Sequence, residues 1–152
     1  MAFRYYRTIR FHETDAAGVV YFANVLTLCH EAYEAALQTA PIDPKRFFSA
    51  QNEYPVPIVH AQADYFMPMF AGDAIAITLM PKQLSPHSYE VRYTLDYQQP
   101  GPSLKPAESE RPLATALTQH VCISKATRRK HPIDDRLTDW LIELAAPVVP
   151  ND

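Results

Sequence analysis

The sequence predicts an α+β domain in which an antiparallel sheet curls around a single long amphipathic helix. Two observations carry this prediction. One stretch near the N-terminus has apolar residues at helical spacing, and the segments around it alternate apolar and polar residues at a period of two, as strands do. Consecutive strands joined by short links usually pair as neighbours, and a half-buried sheet needs an element to cover. The only long amphipathic helix is the economical cover.

The elements follow in order. Residues 3–11 place Phe3, Tyr5, Arg7, Ile9 and Phe11 on one face of a strand. A turn of small residues, Thr14 to Gly18, leads to Phe22, Val25, Leu26, Cys29, Ala32, Tyr33, Ala36 and Leu37, whose spacing predicts a helix over residues 21–38. Pro41 and Pro44 stop it. Strands are expected over residues 56–67, 73–80, 88–97 and 113–124. The third of these is the clearest, with Tyr89, Val91, Tyr93, Leu95 and Tyr97 facing one way and Glu90, Arg92, Thr94 and Asp96 the other. Residues 98–112 hold four prolines and a glycine and read as a surface loop between two strands that can still pair. Asp134 or Asp135 is expected to cap a last helix with an apolar stripe of Leu137, Trp140, Leu141 and Leu144.

Composition bounds the function. At 152 residues one core suffices, and the whole chain reads as a single domain. A net charge of -3 and 20% charged residues give no reason to expect nucleic acid as a partner. Residues 1–10 contain three arginines among aromatics and no apolar run of about 7–15 residues, and no apolar stretch of ~20 residues occurs, so a cytoplasmic location without a membrane partner is expected. Cys29 and Cys122 fall in apolar-patterned segments and are read as buried free thiols. No His-Glu-x-x-His or Gly-x-Ser-x-Gly pattern occurs among the six histidines and the serines, so no metal and no serine triad is expected.

The chemistry concentrates at residues 12–24. Asp15 stands shortly before the expected helix start, with only Ala16, Ala17 and Gly18 immediately after it, so a substrate can approach the backbone closely. Free amides at a helix N-terminus polarise a carbonyl and stabilise a developing oxyanion, while a carboxylate supplies attack, either directly or by activating water. Local pattern alone favours a plainer role for Asp15 as a helix cap. The basic run Arg128-Arg129-Lys130 suits phosphates or a solvated surface equally. His60 shares a strand face with Ile58 and Phe66 and reads as a core or pocket-wall histidine. His12 either orients the turn or lies on the surface, and His120 reads as structural. Tyr21, Tyr65, Tyr89, Tyr93 and Tyr97 either line a slot for a flat acyl group or pack the sheet.

Residues 15–24, Asp-Ala-Ala-Gly-Val-Val-Tyr-Phe-Ala-Asn, resemble the signature of hotdog-fold thioesterases of the 4-hydroxybenzoyl-CoA thioesterase type. Further segments resemble the 1,4-dihydroxy-2-naphthoyl-CoA hydrolases of phylloquinone and menaquinone synthesis: His-Glu-Ala-Tyr-Glu at 30–34, Pro-Ile-Val-His-Ala at 57–61, Gly-Asp at 72–73 and Gln-His-Val-Cys-Ile at 119–123, with the basic run. The resemblance runs from residue 3 to about residue 133. It implies a hotdog fold, with a five-stranded antiparallel sheet wrapped around a central helix, in chains that pair as dimers or as dimers of dimers. It implies thioester hydrolysis without a cofactor, Asp15 as the catalytic acid and the Phe22 amide at the thioester oxygen. Gly18, Val19, Tyr21 and His60 would line the substrate, and Arg128, Arg129 and Lys130 would hold coenzyme A phosphates. The rival expectations are a broader acyl-CoA or acyl-carrier-protein thioesterase and a non-catalytic acyl-CoA-binding protein.

Overall fold

A computed structural model describes residues 2–98 and 111–145. It contains strand β1 (Phe3–Thr8), a single 3-10 turn (Phe11–Glu13), helix α1 (Asn24–Leu37), a short helix α2 (Pro44–Phe47), strands β2 (Ile58–Tyr65), β3 (Ala74–Ser85), β4 (Ser88–Tyr97) and β5 (Ala114–Val121), and helix α3 (Asp135–Ala145). All five strands join one antiparallel sheet in the order β1-β3-β4-β5-β2.

The strand order departs from simple neighbour pairing at one place. β3, β4 and β5 pair in sequence, including the pairing across residues 98–112, from Ser88 opposite Val121 to Leu95 opposite Ala114. β2 instead lies at the far edge beside β5, three strand positions from β3. At about 4.8 Å per position that is about 14 Å, a distance the link of residues 66–73 spans easily.

α1 lies against the sheet with Val25, Leu28, Cys29, Ala32, Tyr33, Ala36 and Leu37 buried, the inward stripe its spacing predicts. Tyr89, Val91, Tyr93 and Leu95 of β4 are buried opposite it. The outer face of β4 is drier than its polarity suggests: Glu90 is buried and is held by the exposed Arg92, 3.1 Å away. α3 packs on the same core. Its Asp134 carboxylate accepts the Leu137 amide at 2.8 Å, and Trp140 donates its indole N–H to the Ala36 carbonyl at 2.9 Å, tying α3 to the end of α1. Cys29 and Cys122 are both free and buried.

β3 runs five residues beyond its expected end and includes Pro81. β1 accompanies β3 only as far as Leu79, so Pro81 has a partner on one side alone, and its missing N–H breaks no ladder bond. Among the described residues no helix is long and apolar enough to cross a membrane.

Candidate active site

Residues 14–20 form a tight hairpin. The Gly18 amide donates to the Asp15 carbonyl at 3.0 Å, the Asp15 amide donates to the Val19 carbonyl at 2.9 Å, and Thr14 bridges Val20. Gly18 takes φ +82, the left-handed conformation that a three-residue hairpin with a glycine bulge requires. A Cβ there would meet nothing within 4 Å, so the backbone angle alone demands glycine.

Asp15 caps this hairpin and not the helix. One of its oxygens, Oδ1, accepts the Ala17 amide at 2.8 Å, the side-chain turn that Asp favours, and α1 begins only at Asn24. The residue before α1, Ala23, offers no side-chain cap. The helix therefore starts three residues later than its spacing predicts, because residues 21–23 form a turn of their own. Asp15, Ala16, Ala17 and Gly18 are all exposed, and Val19 is half-buried.

That turn decides where the amides point. The Tyr21 and Phe22 carbonyls accept the Asn24 and Val25 amides at 2.9 and 3.3 Å, so both face along the helix. A trans peptide sets its N–H opposite its C=O. The N–H groups of Phe22 and Ala23 therefore point back from the helix start, and neither has an acceptor among the described residues. From β2, the Tyr65 hydroxyl also donates to the Phe22 carbonyl at 2.7 Å and so helps fix the Phe22–Ala23 peptide, which carries the Ala23 N–H.

Glu13 holds the two halves together, a role its sequence position does not announce. Its carboxylate is buried and accepts from Arg7 Nη2 at 2.5 Å and the Arg10 amide at 2.8 Å. Burial alone would raise its pKa. The Arg7 guanidinium and the Arg10 amide outweigh this and hold it below the usual carboxylate range. Arg7 also meets Glu31 of α1 at 2.8 Å. The Glu13 carbonyl accepts both the Tyr21 amide at 3.0 Å and the Asn24 side-chain amide at 2.9 Å.

Around this point the surface is unusually apolar. Phe11 is 85% exposed and Phe22 61%, while Tyr21, Tyr65, Phe66 and Phe70 are each close to half exposed. Tyr21 packs on Phe22 with ring centroids 4.7 Å apart. The Tyr65 side chain reaches the same turn from β2 through its bond to the Phe22 carbonyl, so exposed aromatic side chains from two segments meet at the start of α1.

The other expected residues are placed as follows. His60 is exposed on the edge strand, bonded to Gln62 at 3.2 Å, and is not a core residue. A register shift between Ile58 and His60 breaks the alternation that would have put it inward, and among the described residues β2 has no neighbour on its outer side. His12 is exposed. His120 is 1% exposed, stacked on Tyr89 at 4.7 Å and hydrogen-bonded to Thr118 at 2.8 Å, a structural role as expected. Tyr89 and Tyr93 are core residues, and the Tyr89 hydroxyl meets that of Tyr33 at 2.5 Å.

Arg128, Arg129 and Lys130 are exposed on a turn closed by the bridge between Ile123 and Lys130, with Arg128 at φ 62. This turn follows the Val121 end of β5, whereas Tyr65 and Phe22 lie at the Ala114 end. The strand between is about 23 Å long at about 3.3 Å per residue. A single chain does not bring the basic run to Asp15. A cavity of about 430 Å³ lined by Phe47, Tyr54, Val56, Cys122, His131 and Leu137 also lies toward the Val121 end and holds none of the expected site residues.

The chain belongs to the thioesterase-like superfamily, which matches over residues 9–141. Its fold and its Asp-x-x-Gly hairpin agree with the resemblance. More particularly, it is 46% identical over 137 residues to a 1,4-dihydroxy-2-naphthoyl-CoA hydrolase of Rippkaea orientalis, covering 90% of this chain and 93% of that one. It is 43% identical to the protein of that name in Nostoc punctiforme, covering 93% and 87%. Among solved structures, a 1,4-dihydroxy-2-naphthoyl-CoA thioesterase from Synechocystis superposes with a TM-score of 0.82 at 34% identity, covering 97% of this chain and all of the other.

Proposed function

We propose that this protein hydrolyses an aromatic acyl-CoA thioester, 1,4-dihydroxy-2-naphthoyl-CoA, to the free acid and coenzyme A, as a step of phylloquinone or menaquinone synthesis. The observations that carry the proposal are the exposed Asp15 carboxylate held in its hairpin and, a few residues on, the Phe22 and Ala23 amides that point back from the start of α1 without an acceptor among the described residues. The hydrolases named above supply the substrate.

In this reading the thioester carbonyl sits against the Phe22 amide, which takes up the negative charge as the carbonyl carbon becomes tetrahedral. Asp15 either removes a proton from the attacking water, later passed to the departing thiolate, or attacks the carbon itself to give an anhydride that water then opens. The carbon–sulfur bond breaks in both routes, and no cofactor takes part. Gly18 and Val19 line the approach, while Tyr21 and its aromatic neighbours offer flat faces to the acyl ring.

The same proposal includes a dimer. β2 is an edge strand exposed along nearly its whole length, with Ile58, Val59, Tyr65 and the following Phe66 open to solvent. Such an edge invites another strand. Antiparallel pairing with β2 of a second copy would set the partner's basic turn beside this chain's Asp15, resolving the ~23 Å separation within one chain. Arg128, Arg129 and Lys130 would then bind coenzyme A phosphates across the interface, and His60 would become a pocket wall. A dimer of dimers and a cytoplasmic location belong to the same reading.

A panel of naphthoyl, benzoyl and aliphatic CoA thioesters, assayed for free thiol, tests the function. The expected result is a kcat/KM highest for the naphthoyl ester. Preference for aliphatic or carrier-protein esters would overturn the substrate, and binding without thiol release would overturn hydrolysis.

A further inference from the structure

We propose that Asn24 is a positioning residue that sets the distance between the Asp15 carboxylate and the helix-start amides. The inference rests on the reading of Asp15 as the catalytic group and goes beyond it.

Residues 14–20 are held mainly by bonds within the hairpin and by the Val20 amide, which donates to the Met69 carbonyl at 2.8 Å. Their alignment with the helix depends on the Glu13 carbonyl, two residues before Asp15. This oxygen receives the Tyr21 amide at 3.0 Å and Asn24 Nδ2 at 2.9 Å, the latter from the first residue of α1. The other end of Glu13 is anchored to β1 through Arg7 and to the Arg10 amide. Glu13 is thus a post fixed to the sheet, and Asn24 is the side chain that ties the helix start to it. Deleting the Asn24 amide leaves the Glu13 carbonyl with the Tyr21 N–H, so no buried acceptor is orphaned and the fold loses little. The catalytic geometry loses a restraint between the two groups that must converge, and misplacement of about 1 Å can cost about 10²-fold in rate.

The test is kinetic. Asn24→Ala and the similarly sized Asn24→Leu are compared with the unaltered enzyme and with Asp15→Asn on the naphthoyl thioester, with thermal melts alongside. Ala is the best helix former, so the first variant is expected to fold. The expected result is a fall in kcat of tenfold or more in both Asn24 variants, with KM changed less than twofold and the melting temperature nearly unchanged. In the double variant Asp15→Asn with Asn24→Ala, the residual rate should equal that of Asp15→Asn alone, because alignment with a missing carboxylate no longer matters.

A kcat near the unaltered value in both Asn24 variants, with Asp15→Asn inactive, would overturn the positioning role and leave the Asp15 reading standing. A further full loss in the double variant would also overturn it, since Asn24 would then act independently of Asp15. An active Asp15→Asn would overturn the underlying reading itself.

Discussion

Protonating His120 should open the core. This ring is 1% exposed between Tyr33 and Tyr89, and burial, with a contribution from nearby His30, lowers its pKa from 6.5 to about 4 despite partial compensation from the Val56 backbone. Well above pH 6.5 the ring is neutral whether the chain is folded or not, and it contributes almost nothing to pH dependence. Between 6.5 and 4 the unfolded chain takes up the proton more readily, so stability falls as pH is lowered through that window. At about 1.4 kcal/mol per pH unit, the loss is about 2 kcal/mol at pH 5 and about 3 at pH 4. Urea unfolding at pH 7 and pH 5 measures it, with His120→Gln as the reference that cannot titrate. Because Glu13, whose pKa is lowered from 4.5, weakens the fold at more acid pH in both proteins, the difference between the two slopes isolates the histidine. Equal losses from pH 7 to pH 5 in the two proteins would refute the reasoning.

Gly18→Ala should destabilise the protein by about 1–2 kcal/mol through its φ of +82 alone, and Gly18→Asn by less, because Asn tolerates that conformation; equal costs by urea unfolding would mean that contacts and not the angle matter. Charge reversal at Arg128 and Arg129 should raise KM for the CoA thioester far more than it lowers kcat, and a KM that does not move would remove them from the phosphate site. Val59→Glu on the exposed edge of β2 should shift the species seen by sedimentation equilibrium toward monomer. A protein already monomeric before the change would end the proposed pairing.

Much of the fold was legible because several segments carry unbroken periods. β4 matches its expected bounds, 88–97, since five apolar residues alternate with polar ones throughout, and the stripe from Leu137 to Leu144 is buried as expected. Periodicity fails where a neighbour decides the outcome. His60 reads as inward on alternation, yet the position of β2 at the sheet edge and the shifted register beside Ile58 leave it exposed. The helix start was displaced by a turn whose bonds run to Glu13, which no local pattern encodes. Glu13 itself was missed because a carboxylate is ordinarily a surface residue until an arginine from another element buries with it. The separation of Arg128 from Asp15 follows from strand order, which spacing along the chain does not contain. Most of the 98–112 loop lies outside the described residues.

Asp15→Asn tests the account most directly. The amide keeps an oxygen to accept the Ala17 N–H at the same place, so the hairpin should persist while the negative charge disappears. The predicted result is a kcat on the naphthoyl thioester lower by about 10²–10⁴ with KM and melting temperature nearly unchanged. A kcat close to that of the unaltered protein would contradict it.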